Sequence, residues 1–364
     1  MDRREFLKTG TLAAAAGAAA TTLATPALAQ GAKDLTIVST WPRDFPGLGI
    51  SAQRLAARIG ELTEGRLNVQ YFAAGERVGA FDSFDEVASG NAQAYIAADY
   101  YWKGKHPAWA YFTSVPFGLT YTEMDAWIKY AGGQALWDEV AGGFGLKNFA
   151  CGNTGVQMGG WFNKEIETAD DLKGLKMRIP GLGGDVMAKL GASPVSLPGG
   201  QIYENLVAGA IDATEWVGPY NDYFMKFYEA AKYYYYPGMH EPGSQLAFGL
   251  NLDFWSGLSG TDKAIIEAAC NEENARQTAE TNANNGSYLS RLITEHGVEL
   301  REFNDDVYDS FGDAAAQVFA ETRAHSPLAA KVHDAFASAR DDIGRWSGFS
   351  DMAFVAQRNR VLDL

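Results

Sequence analysis

Apolar and polar positions alternate with two periods along this chain, and the switches between them lay out its elements. Residues 35–40 read as a strand. From residue 49 to 64 the apolar Ile50, Leu55, Ile59 and Leu62 recur near helical spacing, and Gly65 supplies the stop. Residues 67–72 return to strand spacing, with Leu67, Val69 and Tyr71 on one face. A helix at 81–89 ends at Gly90, and a strand follows through 94–97. Helices that alternate with strands in this way predict a mainly parallel sheet covered on both faces.

An internal echo extends the pattern. Residues 83–94, SFDEVASGNAQA, align without gaps on residues 202–213, IYENLVAGAIDA. Each reads as a helix, a glycine stop and a short strand, so two similar α/β lobes are expected. Tyr100, Tyr101 and Trp102 follow the first unit, and Glu215 and Trp216 follow the second. Ligands of open α/β sheets sit beyond the strand C-termini, so these residues are expected to face each other across a cleft. The second lobe is expected over 153–242, with strands at 156–162, around LKMRIP and at 212–216. A strand at 246–252 returns to the first lobe, which takes 30–152 and about 243–290. The rest turns helical, at 261–287, 287–296, 305–325 and 328–346, with Ser326-Pro327 as a break. The tail from Asp351 is a short amphipathic helix carrying Met352, Phe354, Val355 and Val361, with nothing evident in its own lobe to cover it.

Composition narrows the function classes. The chain has 364 residues and a net charge of −15, which argues against nucleic acid or an anionic membrane as partner. A small acid is still permitted, because local groups hold it. Residues 1–29 read as an address: Arg3-Arg4-Glu5-Phe6-Leu7-Lys8 is a twin-arginine motif, an Ala/Thr/Gly-rich segment follows, and Ala27-Leu28-Ala29 is a small-x-small cleavage site. An exported, soluble protein is expected. Cys151 and Cys270, far apart in sequence, are expected to be buried free thiols. The five histidines show no zinc spacing.

One strand carries the candidate chemistry. In LKGLKMRIPG, Leu175, Met177 and Ile179 alternate with Lys176 and Arg178. Burying an unpaired arginine is costly. Either that face is solvated, or Arg178 pairs with an internal carboxylate, or its planar fork receives a ligand carboxylate. Gln157 lies on the preceding strand among Asn153, Gly155, Gly159 and Gly160, where something can approach the backbone closely. Glu215 reads as a solvated carboxylate or, beside Gln157, as an oxygen ligand for a hard cation. Trp216, Tyr100 and Tyr101 are pocket walls or simple packing. No G-x-S-x-G motif and no phosphate-binding loop occurs. An enzyme is therefore disfavoured, although a periplasmic enzyme using Glu215 as base stays open.

ETADDLKGLKMRIPG, followed by LGASPVSLPGGQIYENLVAGAIDATEW, resembles the core signature of solute-binding proteins of tripartite ATP-independent periplasmic (TRAP) transporters. The likeness spans the chain from Asp34 to its end. GVQMGGWF and ATEWVGPYND resemble the branch that binds α-keto acids. The resemblance implies a two-lobe, class II periplasmic-binding-protein-like α/β fold with a helical C-terminal region, at 291–364. It implies Arg178 as the carboxylate holder, with Gln157, Tyr100, Tyr101 and Trp216 around a small 2-oxo acid such as pyruvate or 2-oxobutyrate. Lactate or another carboxylate is the alternative. A bridging cation, sodium with calcium as alternative, would be held by Gln157, Glu215, Trp216 and Gln245. TRAP membrane subunits in the periplasmic context, and a homodimer that exchanges its C-terminal helix, are the implied partners.

Overall fold

The computed structural model describes residues 32–363; the twin-arginine leader lies outside them. Two sheets form the framework. In chain order the first half contributes β1 (Lys33–Ser39), α1 (Leu48–Leu62), β2 (Leu67–Phe72), α2 (Ser83–Ala88), β3 (Ala94–Ala97), α3 (Tyr121–Tyr130), α4 (Gly133–Gly142) and β4 (Leu146–Asn153). The chain then enters the second lobe with β5 (Gly160–Phe162), β6 (Lys176–Arg178), α5 (Gly181–Lys189), β7 (Ser193–Val195), α6 (Gly199–Val207), β8 (Ala213–Thr214), α7 (Pro219–Met225) and β9 (Tyr233–Tyr236). It returns through β10 (Gln245–Asn251) and the short α8 (Leu252–Ser256).

The first sheet has the order β2-β1-β3-β10-β4 and the second the order β11-β9-β5-β8-β6-β7, where β11 is Glu299–Glu302. The neighbours of β1 are parallel to it, but β10 runs antiparallel between β3 and β4. In the second sheet β5 is antiparallel to both β8 and β9. Both sheets are therefore mixed rather than mainly parallel. The cause is the connectivity: the chain passes between lobes in extended crossings, β4 to β5 and β9 to β10, instead of helical crossovers.

The echo appears as two matching units. α2 and α6 are each followed by a glycine in the left-handed region, Gly90 at φ 81° and Gly209 at φ 69°, and then by a strand, β3 or β8. Each strand sits inside its own sheet, so the residues just beyond its C-terminal end lie at the cleft.

The C-terminal region departs from the expected plan in two places. Residues 260–296 form one helix, α9 (Gly260–His296), capped by the Ser259 side chain and ended by Gly297 at φ 65°. β11 then adds an edge strand to the second sheet beside β9. Beyond it, α10 (Asp305–Ala324) joins α5 through the Lys189–Glu321 ion pair at 2.5 Å. The chain turns at Ser326, which caps α11 (Pro327–Ser347) by accepting from the Ala329 amide at 3.1 Å. α11 packs on the first lobe, with Phe336 edge-on to Tyr111 and Trp127. The last helix, α12 (Ala353–Leu362), buries none of its residues. Among the described residues no helix is long and apolar enough to cross a membrane. Cys151 and Cys270 are both buried and unpaired, as expected.

Candidate functional site

The lobes meet across a narrow cleft. Lys103 of the first lobe pairs with Asp185 of α5 at 2.5 Å, and the Asn221 side-chain amide donates to the Pro46 carbonyl at 2.6 Å. Between these ties lies a small cavity. Trp41, Leu48, Tyr100 and Tyr101 line it from the first lobe, with Gln157, Trp216, Val217 and Glu241 opposite. Burial raises the Tyr101 phenol to about 12 and the Tyr100 phenol well above its ordinary value, so both remain neutral donors.

β6 brings Arg178 behind the Trp216 wall of the cavity, where it is completely buried. The face it shares with Lys176 is covered at Arg178 and open at Lys176, whose ammonium bonds only to the Gly209 carbonyl at 3.0 Å. Three of the arginine's contacts are local. Its Nε donates to the Leu197 carbonyl and its Nη1 to the Glu215 carbonyl, each at 3.2 Å, and Nη1 also pairs with Glu215 Oε1. Nη2 has no partner. The guanidinium lies 5.2 Å from the centroid of the Trp216 ring. Burial alone would lower the Arg178 pKa, but Glu215 and the other acidic groups around it together outweigh burial, and the group stays charged.

Glu215 and Trp216 follow β8, as the echo predicts. Glu215 is completely buried, and its Oε2 has no hydrogen-bond partner. His240 Nε2 lies 3.4 Å from that oxygen without hydrogen-bond geometry. Beside them is Glu241, whose Oε2 accepts from Gln157 Nε2 at 2.6 Å and from the Ser244 hydroxyl. Glu215, His240 and Glu241 can each offer a ligand atom within 4.8 Å of the others. Burial, then the charge of Glu215, pushes the Glu241 carboxyl up. Burial would lower His240, but Glu215 and Glu241 beside it hold the imidazole above its ordinary value.

Gln157 stands on an irregular crossing and not in the strand expected at 156–162. Its amide N–H donates to the Glu241 carbonyl at 3.0 Å, and the next two amides go to Val217 and Tyr235. These bonds follow the returning chain instead of a ladder, which is why β5 begins only at Gly160. The Gln157 side-chain oxygen has no partner.

Four of the expected site residues, Gln157, Tyr100, Tyr101 and Trp216, thus line one cavity, and Arg178 and Glu215 are buried behind its wall. Gln245 does not join them. Its amide donates to Gly152 O at 2.6 Å, Leu246 O at 3.1 Å and Asn274 Oδ1 at 2.7 Å, which ties it to α9. The carboxylate of the same crossing, Glu241, and its neighbour His240 stand beside Glu215 instead. Both were missed because a Pro-Gly crossing has no periodicity to read; an acidic residue inside a buried crossing was the available signal.

The chemistry of the set is divided. Arg178 Nη2 and Trp216 Nε1 are buried donors without acceptors, while Gln157 Oε1 and Glu215 Oε2 are buried acceptors without donors. Buried groups of this kind normally find partners. The donors fit an organic carboxylate, and the oxygens, with Glu241, fit a hard cation.

Residues 37–325 match the family described as DctP, bacterial extracellular solute-binding protein, family 7. The chain is 38% identical over 358 residues to the monocarboxylate 2-oxoacid-binding periplasmic protein of Nostoc sp., covering 97% of this chain and 98% of that one. The crystal structure of a TRAP periplasmic solute binding protein from Pseudoalteromonas atlantica, with bound sodium and pyruvate, superposes with a TM-score of 0.87 at 38% identity. It covers 89% of this chain and 99% of that one. A TRAP transporter solute binding protein from Bordetella bronchiseptica, a mixed-occupancy dimer with copurified calcium and picolinate, superposes with a TM-score of 0.89 at 33% identity, covering 92% and 99%.

Proposed function

The chain belongs to family 7 of the bacterial extracellular solute-binding proteins, and from this we propose that it is the periplasmic receptor of a TRAP transporter that binds a small 2-oxo monocarboxylate together with a sodium or calcium ion. The observation that carries the reading is the convergence of buried, unpartnered groups of opposite kind: Arg178 Nη2 and Trp216 Nε1 as donors, Gln157 Oε1 and Glu215 Oε2 as acceptors.

Arg178 receives the acid's carboxylate. Its Nε and Nη1 are anchored to backbone carbonyls, so the fork is held in place before the ligand arrives. Gln157, Glu215 and Glu241 hold the cation: Gln157 and Glu241 line the cavity, and Glu215 lies beside Glu241. A 2-oxo acid presents its keto oxygen beside a carboxylate oxygen, a pair that closes a five-membered chelate on a cation. Pyruvate and picolinate, the ligands of the two neighbours, share this arrangement of a carboxylate with an adjacent donor. A cation supplies positive charge between Glu215 and the ligand, where two negative charges would otherwise repel. The walls of Trp41, Tyr100, Tyr101 and Leu48 present an apolar surface suited to a short alkyl tail and offer no charge to a second carboxylate. Pyruvate or 2-oxobutyrate fits that description.

Receptor action without turnover accords with the site. Glu215, the one carboxylate considered as a base, is paired with Arg178 behind the cavity wall. The twin-arginine leader supports export as a folded protein. The exposed apolar side chains at the C-terminus, Trp346, Phe349, Met352, Phe354, Val361 and Leu362, each more than 60% exposed, support a homodimer in which α12 is covered by a second copy. Mass spectrometry of the ligand carried through native purification tests the assignment. A 2-oxo monocarboxylate released unchanged is expected, and a dicarboxylate or a sugar would contradict it.

A further inference from the structure

The cation's hold on Gln157 depends on which way its amide faces, and a neighbouring hydroxyl fixes that. A glutamine amide has one oxygen and one NH2 group of nearly equal size, so its orientation is set by the partners around it. Gln157 is 3% exposed, and its Nε2 is committed twice, to Thr154 Oγ1 at 3.0 Å and to Glu241 Oε2 at 2.6 Å. With both hydrogens used, Oε1 is the atom left free.

Thr154 is unable to accept the opposite orientation. Its hydroxyl donates its only hydrogen to the Gly155 carbonyl at 3.0 Å. The Ser244 amide donates to the same oxygen at 3.2 Å. The hydroxyl therefore faces Gln157 with a lone pair and nothing else. A flipped amide would set oxygen against oxygen at Thr154 and again at Glu241, inside a buried site where the lost bonds are not replaced by water. Thr154 is itself held by the crossing: its amide donates to the Ser244 carbonyl at 3.0 Å, and Ser244 in turn donates to Glu241. Gln157 and Glu241, which stand on opposite strands of the crossing, are thus tied to one Thr154–Ser244 pair.

We propose that Thr154 is a positioning residue for the cation: its hydroxyl, restricted to accepting at Gln157, keeps the amide turned so that Oε1 faces the cation. The proposal rests on the cation-bridged reading above. Without the hydroxyl only Glu241 opposes rotation of the amide, and in the rotated form NH2 replaces a cation ligand with a group that repels it.

The test is Thr154→Val, which keeps the shape and removes the oxygen, with Thr154→Ser as the conservative control. Tryptophan fluorescence titrations with pyruvate, in sodium, in calcium and in chelated potassium buffer, give the factor by which the cation raises pyruvate affinity. In wild type that factor is expected to be large. Thr154→Val should lower it about tenfold or more while leaving cation-free pyruvate affinity within about twofold, and Thr154→Ser should restore it. Full coupling in Thr154→Val overturns the proposal and leaves the cation-bridged reading standing. So does an equal loss with and without cation, which marks a merely structural residue. No coupling in wild type overturns both. Thr154→Ala is read in the same way should the valine variant not fold.

Discussion

Arg178 and Glu215 form a direct ion pair behind the wall of the cleft, with both side chains essentially removed from solvent. Removing one member of such a pair typically costs about 3–5 kcal/mol, because a buried charge is left uncompensated. An acid and a cation that arrive together avoid that cost. The carboxylate compensates Arg178, the cation compensates Glu215, and each replaces what the other draws away. The pair is therefore a physical reason for the two ligands to bind in concert.

Arg178→Lys should weaken pyruvate binding by about 2–5 kcal/mol, the usual loss when one partner of a buried charge pair is truncated. The charge is kept, but one ammonium cannot replace a fork anchored at Leu197 and Glu215 with Nη2 left for the ligand. Isothermal calorimetry on the folded variant measures this. Near-normal affinity would make the arginine structural.

Glu241 governs which cation fits. Glu215, Glu241 and the ligand carboxylate carry three negative charges against one on Arg178, so a divalent ion balances the set when His240 is neutral. Glu241→Gln is expected to weaken calcium-supported binding more than sodium-supported binding. Protonated His240 adds a positive charge and competes with calcium. Because the His240 pKa is raised and burial holds the Glu241 carboxyl up at about 7, calcium-supported affinity should climb as pH rises through about 7 and both groups lose their protons. Titrations in each cation between pH 6 and pH 9 check the sign; equal losses in both cations would contradict the charge argument.

Deleting the chain from Asp351 onward should convert a dimer into a monomer or into insoluble protein. α12 buries nothing in its own chain, and the segment before it exposes Phe349 and Met352. Sedimentation reads the outcome. A soluble truncation that still sediments as a dimer would remove this helix from the interface.

Two buried acids give stability a pH slope. Burial pushes Asp99 and Asp222 up to about 7 despite the hydrogen bonds each accepts, from Trp137, Tyr95 and Asn148 in one case and from Trp161, Tyr234 and Val217 in the other. The folded state therefore binds more protons than the unfolded chain between roughly pH 4 and pH 7. The contribution is complete below the unfolded value and is lost as pH rises through about 7. Asp99→Asn should flatten the fall in melting temperature between pH 5 and pH 8. An unchanged slope would show that Asp99 does not titrate there.

Legibility in the sequence followed the physics of each segment. Arg178 stood out because a strand that alternates with Leu175 and Met177 has no cheap place for an arginine. Glu215 and Trp216 were located by the repeat of helix, left-handed glycine and strand. Periodicity fails on the crossings, so Glu241 and His240 were passed over and Gln245, four residues beyond Glu241, was assigned in their place. It fails again on α9, whose buried face includes Asn274, Gln277, Thr278 and Thr281. Asn274 accepts from Gln245 at 2.7 Å and Thr278 donates to the Asn153 carbonyl at 3.2 Å, while Gln277 and Thr281 bond to each other, and this polar face disguised one long helix as two. β11 was lost because a four-residue edge strand between two helices carries too few apolar positions to read.

The central claim is that acid and cation are bound jointly, and the reciprocal coupling between them measures it most directly. Pyruvate affinity is determined in calcium or sodium and again in chelated potassium, and cation affinity is determined with and without pyruvate. Linkage requires both comparisons to give the same factor. The account predicts a factor of at least about ten, consistent with a coupling of 1–3 kcal/mol, and its near disappearance in Glu215→Gln. Equal pyruvate affinity in all three buffers, unaltered in that variant, would contradict it.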